Sequence, residues 1–455
     1  MPSTPRIDND EPGSMPETGA DGLPGLPHLI VSARFPPRSA YLHLPFCHRR
    51  CFYCDFPVVP LGDRAGGEPG LPGSLSIEAY LTLLEREIAT AAAGPPLSTV
   101  YLGGGTPSLL TPGQVDRLLQ VLATRFGVAP GAEITLELDP ASFDQRRLAG
   151  YLEVGINRVS LGAQSFDDSV LTALGRRHRG QDVSQASAWL DHAWGKGGLH
   201  SWSLDLIQAV PGQQWRDWQA QLRQALACRP PHLSVYDLTI EPGTVFGRRA
   251  ERGELQLPDE DLAADLMELT WTELNRAGYG HYEISNYALP GHASRHNRVY
   301  WSGAAWWGFG MGATGAPWGR REARPRTRQG YADWLDASRP EAIPQTMPVD
   351  ELLLVGLRRR EGVPLPRLLA QAGLTAVAAT RAMESLRFAL QPWLQAGLLL
   401  EEGPRWRLSD PSGLAVSNAV LRCLLGWWAD QDFSGWPANR AALPEPGSAP
   451  GATGG

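Results

Sequence analysis

Between residues 40 and 238, short β-branched or apolar runs alternate with helical patterns, and this alternation constrains the fold more than any other feature. Strands are predicted at 40–44, 99–102, 133–138, 158–161, 201–206 and 232–238, with a further one at 280–284. Amphipathic stretches at 77–93, 111–126, 143–154, 168–174, 183–192, 215–228 and 259–277 separate most of them. Strand, helix and strand in succession build parallel βα units, hence an α/β fold with a barrel or an open sheet. Polar residues favour the barrel. Gly103-Gly-Gly-Thr-Pro107, Glu137, Gln164, Asp205 and Thr239 each fall at or just beyond the C-terminal end of a predicted strand. In a βα barrel those ends converge on one mouth, where sites are built. Any one of these residues alone reads as a turn or cap, but five in phase point to a shared mouth.

Residues 1–36 are rich in Pro, Gly, Ser and acidic residues without periodicity, and 437–455 are similar, so both ends read as disordered. Residues 37–338 are assigned to the barrel, with 60–74 as a Gly/Pro-rich loop and the basic run 320–328 as a solvated face. After a linker near 339–348 the pattern changes. Helices at 350–359, 365–372 and 376–390 precede a hairpin, 398–400 and 405–408 around Glu402-Gly403-Pro404, and a last helix at 413–425. That order resembles a winged helix and defines a C-terminal α+β domain over 349–430. Its helices carry no strong basic stripe, which favours packing or a lid over DNA reading.

The formal charge of −7 gives no bulk attraction for nucleic acid, and no nucleic-acid partner is expected. No apolar run approaches the roughly 20 residues of a membrane span, and the N-terminus lacks the layout of a signal peptide. The expected compartment is the cytoplasm, with peripheral membrane association left open.

Five cysteines do not make a disulfide framework. Cys228 and Cys423 stand alone in apolar segments and read as small buried hydrophobes. Cys47, Cys51 and Cys54 form C-x3-C-x2-C. Three close thiolates hold three irons of a 4Fe–4S cubane and leave the fourth open for a chelating small molecule. Zinc is the rival, with His43 or His48 as a fourth ligand.

Several segments together resemble the HemN/HemW family of radical S-adenosylmethionine (SAM) proteins. They are Tyr41-Leu-His-Leu-Pro-Phe-Cys47, Gly103-Gly-Gly-Thr-Pro-Ser-Leu-Leu110, Asn157-Arg-Val-Ser-Leu-Gly-Ala-Gln164, Ser203-Leu-Asp205, Thr239-Ile-Glu-Pro-Gly-Thr244, His296-Asn297 and Tyr300-Trp301. The resemblance runs from about 38 to about 425. It implies a partial (β/α)6 TIM-like barrel, a 4Fe–4S cluster on Cys47, Cys51 and Cys54, and SAM on the open iron. It also implies a set of SAM contacts. Tyr53 and Tyr41 would lie by the adenosyl group, Gly104, Gly105 and Thr106 would receive the SAM amino group, and Glu137 and Asp205 would hold ribose hydroxyls. Gln164 and Thr239 would add polar contacts, and Arg176 would face the methionine carboxylate, whereas Arg177 and Arg179 read as surface charges.

Two branches of the family differ beside the third cysteine. Oxygen-independent coproporphyrinogen III oxidases carry a fourth cysteine there, and this chain has Cys54-Asp55-Phe56, as in the heme-chaperone branch. The resemblance therefore implies heme as cargo, a heme-accepting protein, and a reductant such as flavodoxin or ferredoxin. SAM cleavage is open, and coproporphyrinogen oxidase activity is not expected. Some positions depart from the family. Asp139 stands where many relatives have Asn, Gln208-Ala-Val-Pro211 replaces a usual Gly-Leu-Pro ending, and Thr314 stands where His is common. His281, His292 and His296 are heme-ligand candidates against a packing role, His296 foremost.

Overall fold

The computed structural model describes residues 36–317, 319, 321–337, 349–371 and 373–430. The expectations of disorder at the two ends, apart from Pro36, and of a linker near 339–348 lie outside the described residues.

Six parallel strands form the centre and lie side by side in chain order: β1 (Ser39–Leu44), β2 (Leu97–Gly104), β3 (Val128–Leu138), β4 (Arg158–Gln164), β5 (Ser201–Gln208) and β6 (His232–Asp237). Helices α1 (Ser74–Thr90), α2 (Pro112–Phe126), α3 (Gln145–Glu153), α4 (Gly180–Gly195) and α5 (Trp215–Ala227) make the crossovers. Along each strand alternate residues do different work. Val100 and Leu102, Leu136 and Leu138, Val159 and Leu161, and Leu204 and Leu206 join one core with Leu84, Leu118, Leu148, Leu190 and Leu222 of the helices. The intervening positions are polar, and the register sets Glu137 beside Ser160, Ser160 beside Ser203, and Asp205 beside Ser234. With a period of two, the apolar face lies under the helices and the polar face lines the interior.

The sheet extends beyond the strands legible in the sequence. After α6 (Glu260–Arg276), β7 (Gly280–Glu283) and β8 (Asn286–Ala288) form an antiparallel hairpin on β6, so the run at 280–284 is an edge and not another βα unit. Following α7 (Arg295–Ser302), β9 (Trp307–Phe309) pairs in parallel with β1. The order is β9-β1-β2-β3-β4-β5-β6-β8-β7, a partial barrel with two edges. β3 starts at Val128, five residues before the run visible in the sequence, because Ala129-Pro130-Gly131 carries no strand signal.

Within the basic run 320–328, Arg321 and Arg326 are exposed, as a solvated face requires, but Arg324 is not. Arg324 is 7% exposed, bonds Glu87 at 2.8 Å and lies over the Trp334 ring. Glu87, itself buried, also accepts from Tyr331 at 2.6 Å and from the Gly310 N–H at 2.7 Å. Arg321 pairs with Glu351, Arg326 donates to the Asp55 carbonyl, and Arg328 donates to Ser76. The run thus ties the segment after the barrel to α1, since a buried carboxylate requires such partners.

Residues 349–430 form helices Val349–Gly356, Leu365–Gln371, Ala376–Ala389 and Ser417–Ala429 with an antiparallel sheet of Val363–Pro364, Arg405–Leu408 and Leu399–Glu402. Leu353, Leu369, Leu386, Trp406 and Leu424 make a second core. This unit docks on the barrel edge through Ile284 N–H to Arg358 O at 3.0 Å and Arg360 N–H to Tyr282 O at 3.3 Å. Among the described residues no helix is long and apolar enough to cross a membrane.

β5 leaves the sheet through Ala209, whose φ is +56°, a left-handed conformation that favours glycine. A side chain there costs roughly 1–2 kcal/mol, and glycine returns part of that through its freer unfolded chain. Ala209→Gly is expected to raise the unfolding free energy in urea by about 0.5–1 kcal/mol. An unchanged urea midpoint would remove the strain from the account.

Candidate cofactor site

The polar interior and the loops at the C-terminal strand ends enclose a cavity of about 450 Å³. Cys47, Cys51, Cys54, Tyr53, Gly104, Gly105, Thr106, Glu137, Gln164, Arg176, Asp205 and Thr239 all line it. Tyr41 does not. It pairs in register with Tyr101, its hydroxyl lies 2.9 Å from His43 Nδ1, and Tyr101 takes the cavity wall. β1 runs on to Leu44, so Tyr41 sits deeper than a strand end.

The cysteine loop is fixed at both ends. A short parallel bridge pairs Phe46 with Val59 and Cys47 with Pro60, while Phe52 N–H donates to Leu174 O at 3.0 Å. The turn closes with Cys54 N–H to Cys51 O at 3.3 Å. All three thiols are free of disulfides. Burial pushes the Cys47 thiol up to about 12, opposed by a hydrogen bond with Thr106. Arg176 Nη1 lies 3.5 Å from Cys51 Sγ. Among the described residues no three Cys, His, Asp or Glu side chains converge as a single ion requires. A cubane asks something else, one thiolate at each of three irons.

Gly104 and Gly105 permit the loop above the cysteines. Gly104 has φ +122°, and a Cβ there would meet the His43 ring at 2.6 Å. At Gly105 a Cβ would come within 2.6 Å of Phe46 O and 2.9 Å of Cys47 Sγ. The backbone and the thiol can approach this closely only without a side chain, which leaves a cradle suited to a cluster and its small-molecule ligand.

Two partly buried carboxylates face the cavity, each held from behind. Glu137 accepts from Tyr101 Oη and from Gly104 N–H, both at 2.9 Å. Burial lifts its carboxyl to about 7 against those two donors. Asp205 accepts from Ser160 at 2.7 Å and Ser203 at 3.0 Å, and burial raises its pKa against the serine hydroxyls. Sequence reading missed Tyr101, Ser160 and Ser203. Strand periodicity held the signal, since Ser203 lies two residues before Asp205 and must share its face. Gln164 closes β4 with φ +65° after a register shift, backbone strain at the cavity wall.

Arg176 is partly buried among partners. Its Nη2 donates to Asp139 at 2.8 Å and to Gly162 O at 2.9 Å, while Nε is buried without a partner. Burial alone would raise the Asp139 pKa, but Arg176 and His178 hold it well below the usual carboxylate range. Asp in place of Asn therefore places a full counter-charge on the guanidinium. Arg177 bridges Asp63 O and Ala141 O, so it is partly a structural residue and not a free surface charge. Asp55 lines the cavity rim, 3.7 Å from Arg326.

The three candidate histidines have packing partners. His296 is fully buried, with Nδ1 2.7 Å from Thr99 Oγ1 and Nε2 2.7 Å from Tyr300 Oη, and its ring stacks on Tyr101 at 5.2 Å. Both ring nitrogens are occupied, which leaves no lone pair to offer an iron. His281 stacks on Tyr287 at 4.2 Å and lies 2.6 Å from Asp410, and His292 contacts Ser201 at 3.1 Å. None of the three lines the cavity. Thr314 is exposed in a two-residue strand and is also absent from the cavity wall.

Residues 41–223 match the radical SAM superfamily. The heme chaperone HemW of Synechocystis sp. is 40% identical over 414 residues, covering 87% of this chain and 98% of that protein. The heme chaperone HemW of Escherichia coli is 34% identical over 397 residues, covering 86% and 99%. Among solved structures, coproporphyrinogen III oxidase (HemN) from Escherichia coli superposes with a TM-score of 0.69 over 87% of this chain and 91% of that one, at 23% identity, a likeness of fold.

Proposed function

The chain belongs to the HemW family of radical SAM proteins, and from that premise we propose that it is a cytoplasmic heme chaperone that takes up heme and delivers it to a heme-accepting protein. Membership of the superfamily implies a 4Fe–4S cluster and SAM. The observation that carries the reading is the meeting of three free cysteines, two partly buried carboxylates and Arg176 in one cavity, with Phe56 where an oxidase would have a fourth cysteine.

In this reading Cys47, Cys51 and Cys54 hold three irons, and Gly104, Gly105 and Thr106 offer backbone and hydroxyl groups to the SAM amino group. Glu137 and Asp205 accept from ribose hydroxyls on the sides left free by Tyr101, Ser160 and Ser203. Tyr53 supports the adenine, Gln164 and Thr239 contribute polar contacts, and Arg176 faces the methionine carboxylate. A cluster held by Cys47, Cys51 and Cys54 would, when reduced by a flavodoxin- or ferredoxin-type partner, supply the electron for cleavage of SAM. Anaerobic reconstitution followed by parallel heme-binding and coproporphyrinogen assays tests the reading.

Glu137→Ala is expected to weaken SAM binding by about 1.5–3 kcal/mol while leaving iron content unchanged, the loss of charged hydrogen bonds. In the wild type, affinity should rise with pH through about 7, because only the ionised carboxyl accepts from both hydroxyls and burial has raised its pKa to that value. Anaerobic calorimetry measures both effects. Equal SAM affinity in the variant would remove Glu137 from the site.

A further inference from the structure

A second hollow of about 280 Å³ lies beside the cofactor cavity, between β6, the β7–β8 turn, α6 and the C-terminal unit. The two share Tyr236, Asp237 and Thr239 as a common wall. Arg358 of the C-terminal unit lines the second hollow with Ser285, Ser417 and Asn418. Its Nη1 donates to Leu354 O at 3.2 Å and its Nη2 to Asn418 Oδ1 at 2.9 Å. Among the described residues, these partners are neutral, and burial lowers its pKa. A half-buried guanidinium without a counter-ion is completed by a carboxylate, which it can bind through a planar fork. Asp237, the carboxylate on the shared wall, already accepts from Gln208 at 2.7 Å, and Gln208 is braced by Thr270 at 2.8 Å.

We propose that this hollow receives a carboxylate arm of a tetrapyrrole, with Arg358 as its counter-ion. The assignment rests on the heme-chaperone reading. The hollow is smaller than the roughly 300–1,000 Å³ that encloses a drug-sized ligand, so the arm enters and the macrocycle does not. Tyr236, 42% exposed on the shared wall, presents an aromatic ring to the macrocycle outside. The C-terminal unit thereby contributes a side chain to cargo binding that the barrel alone lacks.

The test titrates full-length reconstituted wild type, Arg358→Gln and Arg358→Lys with heme and with heme dimethyl ester, whose carboxylates are blocked. Arg358→Gln should bind heme about tenfold more weakly and the ester within about twofold of wild type, the signature of a lost charged hydrogen bond. Arg358→Lys should recover part of the preference for heme, which a merely structural role would not produce. Equal heme affinity in wild type and Arg358→Gln, or an equal loss for heme and ester, would overturn the assignment while leaving the chaperone reading intact. A wild type that binds neither ligand would overturn both.

Discussion

Serine at Cys47, Cys51 or Cys54 is expected to abolish the iron–sulfur chromophore of the reconstituted protein, with most of its iron lost. On the proposed reading each thiolate would serve a different iron, so no neighbour could substitute for a missing one. Serine keeps the shape of the side chain but remains protonated, and only the ionised sulfur is a good ligand. The loop should stay in place, because its anchors are backbone bonds from Phe52 to Leu174 and from Leu61 to Cys47. Thermal unfolding of the apo variants should therefore match apo wild type, separating ligand loss from misfolding. Cys228→Ser and Cys423→Ser should keep full iron and colour. Cys228 caps α5, Cys423 Sγ contacts Ala389 O at 3.5 Å, and neither lines the cavity. Full cluster loading in Cys51→Ser, or zinc in place of iron in wild type, would end the radical SAM account of this loop.

Much of the barrel was legible because its strands are apolar on one face and its helices are amphipathic, and both periods survive in a single sequence. The cavity residues were legible for a different reason: Glu137, Gln164, Asp205 and Thr239 break apolar runs where the strands end. What lay hidden depended on contacts distant in sequence. β9 has three residues and earns its place only by pairing with β1. Arg324 looked solvated like its exposed neighbours because Glu87, the partner that buries it, is more than two hundred residues away. His296 looked like an available ligand because Thr99, which occupies Nδ1, is distant in sequence; Tyr300, which occupies Nε2, lies one helical turn on and was a local signal left unused. Tyr41 looked like a cavity residue for the same reason, since its place beside Tyr101, which takes the cavity wall, is fixed only once β1 and β2 are paired. The positive φ of Ala209 likewise appears only in three dimensions.

Whether the chain carries heme or oxidises a porphyrinogen turns on enclosure. Oxidative decarboxylation requires the reacting atoms to be held about 3–3.5 Å apart, with the macrocycle fixed throughout. In the proposed reading the cavity of about 450 Å³ takes a cluster and SAM before any macrocycle. A chaperone has the opposite need, a ligand held at an accessible surface from which it can leave. The decisive measurement uses one anaerobically reconstituted, SAM-replete and reduced sample, divided between a heme titration and a coproporphyrinogen III assay. A saturable shift of the Soret band with no formation of protoporphyrinogen IX is the predicted result. Turnover of coproporphyrinogen III with no detectable heme binding would contradict it.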